Sequence, residues 1–324
     1  MQHTRRTMLT TTTTAAALAL SACTPPEAER PTEGRIAVPG GEVAWRRLGD
    51  GSKTPLIFIH GGPGLTSEYM TSYGALGDER PTYTWDQLGC GRSDRPDNLS
   101  LWTLERFVEE LDVVRDTLAP GPVHILGHSW GTTLALEWLV AKRPLDIASV
   151  IFSSPALSTP RWIADTRELV AGLSPEAQAA IAEAERTGDF STPGYQAAAW
   201  GEWTSAHIVR SLGPAELEAL QGSLAEWNAN LEILEHMWGP SDFTVTGSLK
   251  TFDRTTDLGS LSMPVLFMCG EFDEARPATI REQAAMTPNA EVVVLPGAGH
   301  LTMIDAPDAA NAAIRDFLHR VETA

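Results

Sequence analysis

The chain has 324 residues and a formal net charge of −18, with 43% hydrophobic and 20% charged residues. This composition is that of a globular protein, and the length suffices for one large domain or two smaller ones. The acidic balance argues against nucleic-acid binding, which requires clustered lysine and arginine. Three cysteines are too few for a disulfide framework. No apolar run reaches the roughly 18 residues that a membrane-spanning helix needs.

The first 22 residues have the pattern of an export signal. Arg5 and Arg6 precede an apolar stretch without acidic residues, which is typical of secretory signals, and the arginine pair resembles a twin-arginine signal. The stretch ends in Leu20-Ser-Ala-Cys23, which resembles the bacterial lipobox, whose cysteine is lipidated. We therefore expect an exported, extracytoplasmic protein held on the bacterial cell membrane only through a lipid on Cys23. The alternative is a cleaved secretory peptide in which Cys23 is incidental.

Residues 23–34 are predicted to form a tether, because they contain three prolines and no aliphatic residue larger than alanine. After it, short apolar strands alternate with helical patterns. The predicted strands are residues 55–60, 82–85, 122–126, 148–152, 263–269 and 290–295, and the predicted helices are residues 104–118, 130–142 and 307–322. Continuous apolar strands separated by helices predict an α/β fold, with a mostly parallel central sheet covered by helices on both faces.

A helical insertion interrupts this alternation. Between residues 157 and 247 no strong strand pattern occurs, and five of the ten tryptophans fall there. We interpret residues 157–247 as a helical cap over a core made of residues 35–156 and 248–324. The five tryptophans are predicted either to form the core of this cap or to line an apolar substrate pocket; they are Trp162, Trp200, Trp203, Trp227 and Trp238.

Ser129 is the predicted nucleophile. Gly127-His-Ser-Trp-Gly131 follows a predicted strand and opens a predicted helix, which is the nucleophile-elbow pattern of α/β-hydrolases. The elbow holds its serine in a strained conformation, so the residues two positions away must lack a side chain. A tight glycine turn with an idle serine would give the same letters, but the strand before and the helix after favour the catalytic interpretation.

A serine hydroxyl needs a base to take its proton, and the base needs an acid to orient it. His300 lies in a glycine-containing loop after the last predicted strand, so it is our predicted base. The acid is expected at the end of the preceding strand, where Asp273 is our choice. Glu271 and Glu274 are close competitors on spacing alone.

The oxyanion of an acyl-transfer intermediate needs two N–H donors. One should be the amide of Trp130, which directly follows the serine. The other should come from the loop His60-Gly-Gly-Pro-Gly64, because glycines let a backbone approach a ligand closely. We favour Gly62 as this donor.

Four blocks of sequence together resemble the proline iminopeptidases and related α/β-hydrolase aminopeptidases. They are His60-Gly-Gly-Pro-Gly64, Asp86-Gln-Leu-Gly-Cys-Gly-Arg-Ser-Asp94, Gly127-His-Ser-Trp-Gly-Thr-Thr-Leu-Ala-Leu-Glu-Trp138, and Gly270-Glu-Phe-Asp-Glu274 with Gly297-Ala-Gly-His300. The resemblance covers about residues 35–320. It implies an α/β-hydrolase fold with Ser129, Asp273 and His300 as the catalytic triad.

The resemblance also implies a site for the free amine of a small peptide. Enzymes of this family release an N-terminal residue, often proline, and hold its amine with carboxylates. One such carboxylate follows the triad Asp directly, which is Glu274 here. The other lies in a late cap segment that reads Gly239-Pro-Ser-Asp242-Phe243, where the family usually has Glu. The alternative is that Asp242 is an Asx-type turn residue before Phe243.

The resulting hypothesis is a serine aminopeptidase that favours proline, acts through an acyl-enzyme and needs no metal or organic cofactor. An amidase of free amino-acid amides, an esterase of the same fold and a catalytically silent surface-binding protein remain alternatives. Haloalkane dehalogenase and epoxide hydrolase chemistry is disfavoured, because those enzymes place Asp where Ser129 stands.

Overall fold

The computed structural model describes residues 31–324, which contain an eight-stranded sheet with helices on both sides. The strands are β1 (Glu33–Val38), β2 (Gly41–Asp50), β3 (Leu56–Ile59), β4 (Pro81–Trp85), β5 (Val123–His128), β6 (Ile147–Ser153), β7 (Val265–Gly270) and β8 (Ala290–Leu295). Their order across the sheet is β1-β2-β4-β3-β5-β6-β7-β8. The strands from β4 to β8 pair in parallel, whereas β1 and β2 pair antiparallel.

Helices separate the strands from β3 onward, and five of the α-helices lie in the predicted cap. The α-helices are α1 (Leu104–Leu118), α2 (Trp130–Lys142), α3 (Thr159–Val170), α4 (Pro175–Thr187), α5 (Pro193–Gln196), α6 (Pro214–Glu226), α7 (Leu231–Met237), α8 (Pro277–Ala285), α9 (Thr302–Asp305) and α10 (Pro307–Thr323). A π-helix spans Ala197–Ile208, and 3₁₀-helices span Ser67–Asp78, Leu99–Leu101 and Thr255–Ser260. The fold class predicted from the sequence is confirmed.

Side-chain alternation along the strands divides the core between the two faces of the sheet. Ile57 and Ile59 of β3 pack with residues of α1 and α2, whereas Leu56 and Phe58 pack with the 3₁₀-helix Ser67–Asp78 and with α10. Strands buried on both faces are continuously apolar, which is why these strands were visible in the sequence.

The sequence patterns missed the antiparallel pair at the sheet edge. The predicted tether of residues 23–34 is wrong at its C-terminal end, because β1 already begins at Glu33 and pairs with β2. The burial of β1 and β2 is mixed, so their apolar residues do not form a continuous run. The predicted export signal of residues 1–22 and the predicted lipidation site Cys23 lie outside the described residues. From residue 31 onward, no helix combines the length and apolar character needed to cross a membrane.

The predicted cap segment has an apolar cluster of its own. Leu173, Ile181, Tyr195, Trp203 and Phe243 pack together there and are buried. The π-helix is the unusual element of this segment, and such helices are frequent at functional sites.

Candidate active site

Ser129 lies at the sharp turn between β5 and α2. Its backbone angles are φ 52° and ψ −123°, a strained conformation for a residue with a side chain. A Cβ at Gly127 would lie 2.5 Å from the Gly131 carbonyl oxygen, and one at Gly131 would lie 2.2 Å from that of Ile59. Both distances are below any real contact, so the turn requires glycine at both positions. The spacing of the motif therefore has the steric cause that the sequence suggested.

The predicted acid and base are in direct contact. His300 Nδ1 lies 2.8 Å from Asp273 Oδ1, and both side chains are buried. The backbone N–H of Ala275 donates to the same carboxylate oxygen at 2.8 Å. An ionised carboxylate only accepts hydrogen bonds, so Nδ1 carries the proton and Nε2 is left as the basic nitrogen.

Ser129 and His300 line one cavity, whose empty volume of about 960 Å³ is partly open to solvent. Among the described residues, the Ser129 hydroxyl makes no hydrogen bond to His300. Catalytic hydrogen bonds of this kind are often loose before substrate binds. His300 Nε2 lies 3.6 Å from Glu274 Oε1, so the basic nitrogen also faces a carboxyl group.

One of the two predicted oxyanion donors lines the cavity, and the other directly follows Ser129. Gly62 lines the cavity, and Trp130 is the first residue of α2, next to Ser129. Within residues 31–324, neither backbone N–H donates to a protein acceptor. The neighbouring Gly61 N–H is already engaged, because it donates to Tyr69 Oη at 2.5 Å. This leaves Gly62 rather than Gly61 as the candidate donor from the glycine loop.

Gln87 links the two segments that carry these donors. Its side-chain Nε2 donates to the His60 carbonyl at 3.0 Å, and its Oε1 accepts from the Trp130 indole at 2.9 Å. Its backbone N–H donates to His60 Nε2 at 2.9 Å. A buried amide with both ends satisfied fixes its partners in position. Gln87 therefore sets the separation between the glycine loop and the start of α2.

A second network joins the glycine loop to the base. Tyr69 Oη lies 2.9 Å from His128 Nδ1, and His128 Nε2 donates to the His300 carbonyl at 3.1 Å. Burial lowers the pKa of His128 well below its usual value, and the neighbouring His300 lowers it further. A neutral His128 that donates from Nε2 must accept from Tyr69 at Nδ1. The chain of bonds from Gly61 through Tyr69 to His128 is thus fully satisfied.

Glu274 is buried and incompletely bonded. Its Oε2 accepts from the Trp203 indole at 2.9 Å, whereas its Oε1 has no hydrogen-bond partner. Desolvation raises the pKa of Glu274 well above its usual value, and repulsion from Asp242 and Asp273 raises it further. An unpartnered buried carboxyl oxygen costs stability. In this position, next to His300, it is suited to accept a hydrogen bond from a cationic ligand.

Asp242 supplies a carboxyl group to the wall of the cavity. Desolvation raises its pKa, and a smaller attraction to His300 opposes that effect. Its backbone carbonyl accepts from the indoles of Trp162 at 2.7 Å and Trp238 at 3.3 Å. Two tryptophans thus hold the segment that presents this side chain. Asp242 is close enough to Glu274 for its charge to raise the pKa of the Glu274 carboxyl group.

Comparison with known proteins identifies the family. The profile described as the alpha/beta hydrolase fold matches residues 54–307. A proline iminopeptidase of Heyndrickxia coagulans is 42% identical over 90% of this chain and 99% of its own length. The chain belongs to the proline iminopeptidase family. A proline iminopeptidase of Levilactobacillus brevis is 35% identical over 86% of this chain and 93% of its own. The crystal structure of the Mycobacterium smegmatis proline iminopeptidase superposes with a TM-score of 0.80 at 28% identity, covering 90% of this chain and 99% of that one.

Membership of the proline iminopeptidase family confirms the resemblance drawn from the four sequence blocks. The geometry of the site, in turn, separates the competing acids at the end of β7. Asp273 contacts His300 Nδ1, whereas Glu271 accepts from the Gly297 backbone N–H at 2.9 Å. Glu274 faces the other nitrogen of the same ring. The three acids therefore have three different positions, which spacing alone did not separate.

The cap tryptophans divide between the two predicted roles. Trp200 and Trp227 line the cavity, whereas Trp162, Trp203 and Trp238 are buried and donate to the carboxyl-bearing segments. Their indole N–H groups are the functional feature that the sequence did not reveal. Gln87 and Tyr69 were likewise missed, because their partners lie on distant segments.

The C-terminal end of the π-helix holds the loop that carries the base. The backbone N–H of His300 donates to the His207 carbonyl, and that of Leu301 donates to the Ile208 carbonyl, both at 2.8 Å. His207 Nδ1 also lies 3.0 Å from the Phe272 carbonyl, next to the acid. The cap segment therefore positions the base and the acid as well as covering them.

Proposed function

We propose that the chain is a serine aminopeptidase that releases an N-terminal residue, with proline favoured, from small peptides. The relatives at 42% and 35% identity are both named proline iminopeptidase. The observation that carries the proposal is the pair of carboxyl groups beside the base. Glu274 Oε1 lies 3.6 Å from His300 Nε2 and has no hydrogen-bond partner, and Asp242 lines the cavity that Ser129 and His300 share. An ammonium group would satisfy both carboxylates while placing the adjacent carbonyl near Ser129.

The mechanism follows from these positions. Ser129 attacks the carbonyl of the first residue while His300 Nε2 accepts its proton and Asp273 stabilises the resulting imidazolium. The amides of Gly62 and Trp130 hold the oxyanion. His300 then protonates the leaving amine, and water hydrolyses the acyl-enzyme with His300 again as the base.

The decisive experiment compares prolyl anilide with N-acetylprolyl anilide on the purified protein. Prolyl anilide should be turned over and the acetylated compound should be slower by at least about 100-fold, because a desolvated ammonium–carboxylate interaction contributes several kcal/mol. Ser129→Ala should abolish turnover of both. Equal rates on the free and acetylated compounds would eliminate the amine site and leave an esterase-like or general amidase activity.

The alternative functions have less support. An amidase of free amino-acid amides would use the same carboxylates, but the relatives carry the name of a peptidase. A silent binding protein would have no reason to retain a strained serine beside an acid–base pair. A fluorophosphonate that failed to label Ser129 in the folded protein would favour the silent protein.

We further propose export and lipid attachment at Cys23. The support is the order of the arginine pair, the apolar stretch and Leu20-Ser-Ala-Cys23 in the sequence. Labelling of producing cells with a radioactive fatty acid should mark the wild-type protein and should not mark Cys23→Ser. Equal labelling of the two proteins, or none of either, would exclude this anchor.

A further inference from the structure

The residues that line the cavity can stabilise the ammonium group of a peptide substrate but not its C-terminal carboxylate. Its walls carry Asp242, two histidines and otherwise neutral side chains, with no lysine or arginine among the lining residues of the described chain. One of those histidines, His128, has a pKa far below its usual value because it is buried. A substrate carboxylate inside this cavity would therefore find no lysine or arginine to pair with, and the other histidine, His300, is already paired with Asp273.

The charge of the predicted cap acts in the same direction. Residues 157–247 contain thirteen acidic and four basic side chains, a net charge of −9. The basic side chains Arg161 and Arg186 are already paired with acidic groups. This distribution attracts the amine of a peptide and repels its carboxylate.

Chain length decides where that carboxylate lies. With the amine held beside Asp242 and Glu274, the carboxylate of a dipeptide is about 7 Å away, since two extended residues span that distance. It must then be desolvated within the cavity without a partner, which is costly. An amidated dipeptide has no such charge, and a longer peptide moves its charge outward by about 3.4 Å per residue.

The cap provides a route for the longer chain. Trp200, Gln221 and Leu224 line both the cavity and an outer groove that is completed by small and apolar residues, among them Ala225, Ala229 and Leu231. Gln221 Nε2 donates to the Trp200 carbonyl, so these residues form the boundary between cavity and groove. The exposed Leu231 offers an apolar surface for side chains that follow the cleaved bond.

We propose that this site selects peptides whose C-terminal carboxylate is remote or blocked, and that the outer groove holds the continuation of the peptide beyond the cleaved bond. The substrate class is accordingly C-terminally amidated dipeptides and peptides of three or more residues, with free dipeptides disfavoured. This inference rests on the proposed aminopeptidase function and specifies its substrate.

The test compares three substrates by the proline that each releases: Pro-Leu, Pro-Leu-NH₂ and Pro-Leu-Gly-Gly. The value of kcat/KM for Pro-Leu should be lower than for Pro-Leu-NH₂ by at least about tenfold, given the cost of a buried unpaired carboxylate. Pro-Leu-Gly-Gly should resemble the amide. Equal values for Pro-Leu and Pro-Leu-NH₂ on an enzyme that cleaves both would overturn this inference and leave the proposed function intact. Failure to cleave prolyl anilide would remove the proposed function itself.

A charge-insertion pair tests the cause. Leu224→Lys places a cation on the cavity wall and should bring the Pro-Leu to Pro-Leu-NH₂ ratio close to one. Gly222→Lys adds the same charge to an exposed position of α6 where an added Cβ meets nothing within 4 Å, and it should leave the ratio unchanged. If both variants raise the Pro-Leu to Pro-Leu-NH₂ ratio equally, long-range electrostatic attraction of the carboxylate explains the preference, and the explanation from the cavity wall is wrong. If Leu224→Lys does not fold, Gln221→Lys takes its place, and a ratio that neither lysine changes overturns the proposal.

Discussion

Replacement of Glu274 by Gln should stabilise the fold at neutral pH while it removes most of the activity. In the wild type, Oε1 of Glu274 has no hydrogen-bond partner and the carboxyl group is repelled by Asp242 and Asp273. The amide of Gln has the same shape, carries no charge and can still accept from Trp203 Nε1. The removal of an unsatisfied buried carboxylate should add about 1–3 kcal/mol to the free energy of unfolding.

The pH dependence gives the sign of this effect. The pKa of Glu274 is raised in the folded protein, so the folded state binds this proton more tightly than the unfolded state. The stability that Glu274 contributes is therefore fully present below its ordinary pKa and is lost as pH rises through the folded value. The gain from Glu274→Gln should be small at pH 4 and should grow toward pH 8, where the melting temperature should rise by roughly 2–8 °C.

Two assays check this prediction. Thermal unfolding at pH 4, 6 and 8 measures the stability, and kcat/KM on prolyl anilide should fall by about 10²–10³-fold because the substrate ammonium loses a desolvated carboxylate. Glu226→Gln, on an exposed part of α6, is the matched control and should change neither quantity appreciably. A Glu274→Gln variant that melts below the wild type at pH 8, or that keeps full activity, would refute the reasoning.

Three further changes have defined outcomes. Gln87→Leu breaks the hydrogen bond to the Trp130 indole. It should lower kcat on prolyl anilide by about tenfold with little change in KM, because the distance between the two oxyanion donors is no longer fixed. A change confined to KM would contradict the positioning role of Gln87. Gly131→Ala, whose added Cβ would lie 2.2 Å from the Ile59 carbonyl oxygen, should lower the free energy of unfolding by more than about 3 kcal/mol in a urea titration, and near-neutral behaviour would disprove the steric account. Glu322→Gln removes the nearer of the two acidic partners of the buried Arg80, the other being Glu79, and should cost about 1–3 kcal/mol in the same assay; an unchanged urea midpoint would show that this pair is dispensable.

The elements that could be predicted from the sequence are those set by local physics. The helix over residues 130–142 was predicted with the observed bounds, and the helix at Leu104–Leu118 begins after Thr103, whose hydroxyl caps it by accepting from the Arg106 N–H. Buried parallel strands were visible as continuous apolar runs. The glycine spacing around Ser129 belongs to a turn of five adjacent residues, so it too could be recognised from the sequence, although the residue that Gly131 approaches, Ile59, lies on β3.

What only the tertiary structure decided is which distant groups meet. The sequence left three acids after β7 as candidates for the catalytic acid. In the fold, Asp273 contacts Nδ1 of His300, whereas Glu274 lies near Nε2 of the same ring. It also assigned Gln87 and the Trp203 indole to partners far along the chain. Local propensity depends on neighbours within a few residues, whereas these contacts depend on how the strands order in the sheet and how the cap closes over it. For that reason the reacting residues could be named from the sequence, but the charge and hydrogen bonding around them could not.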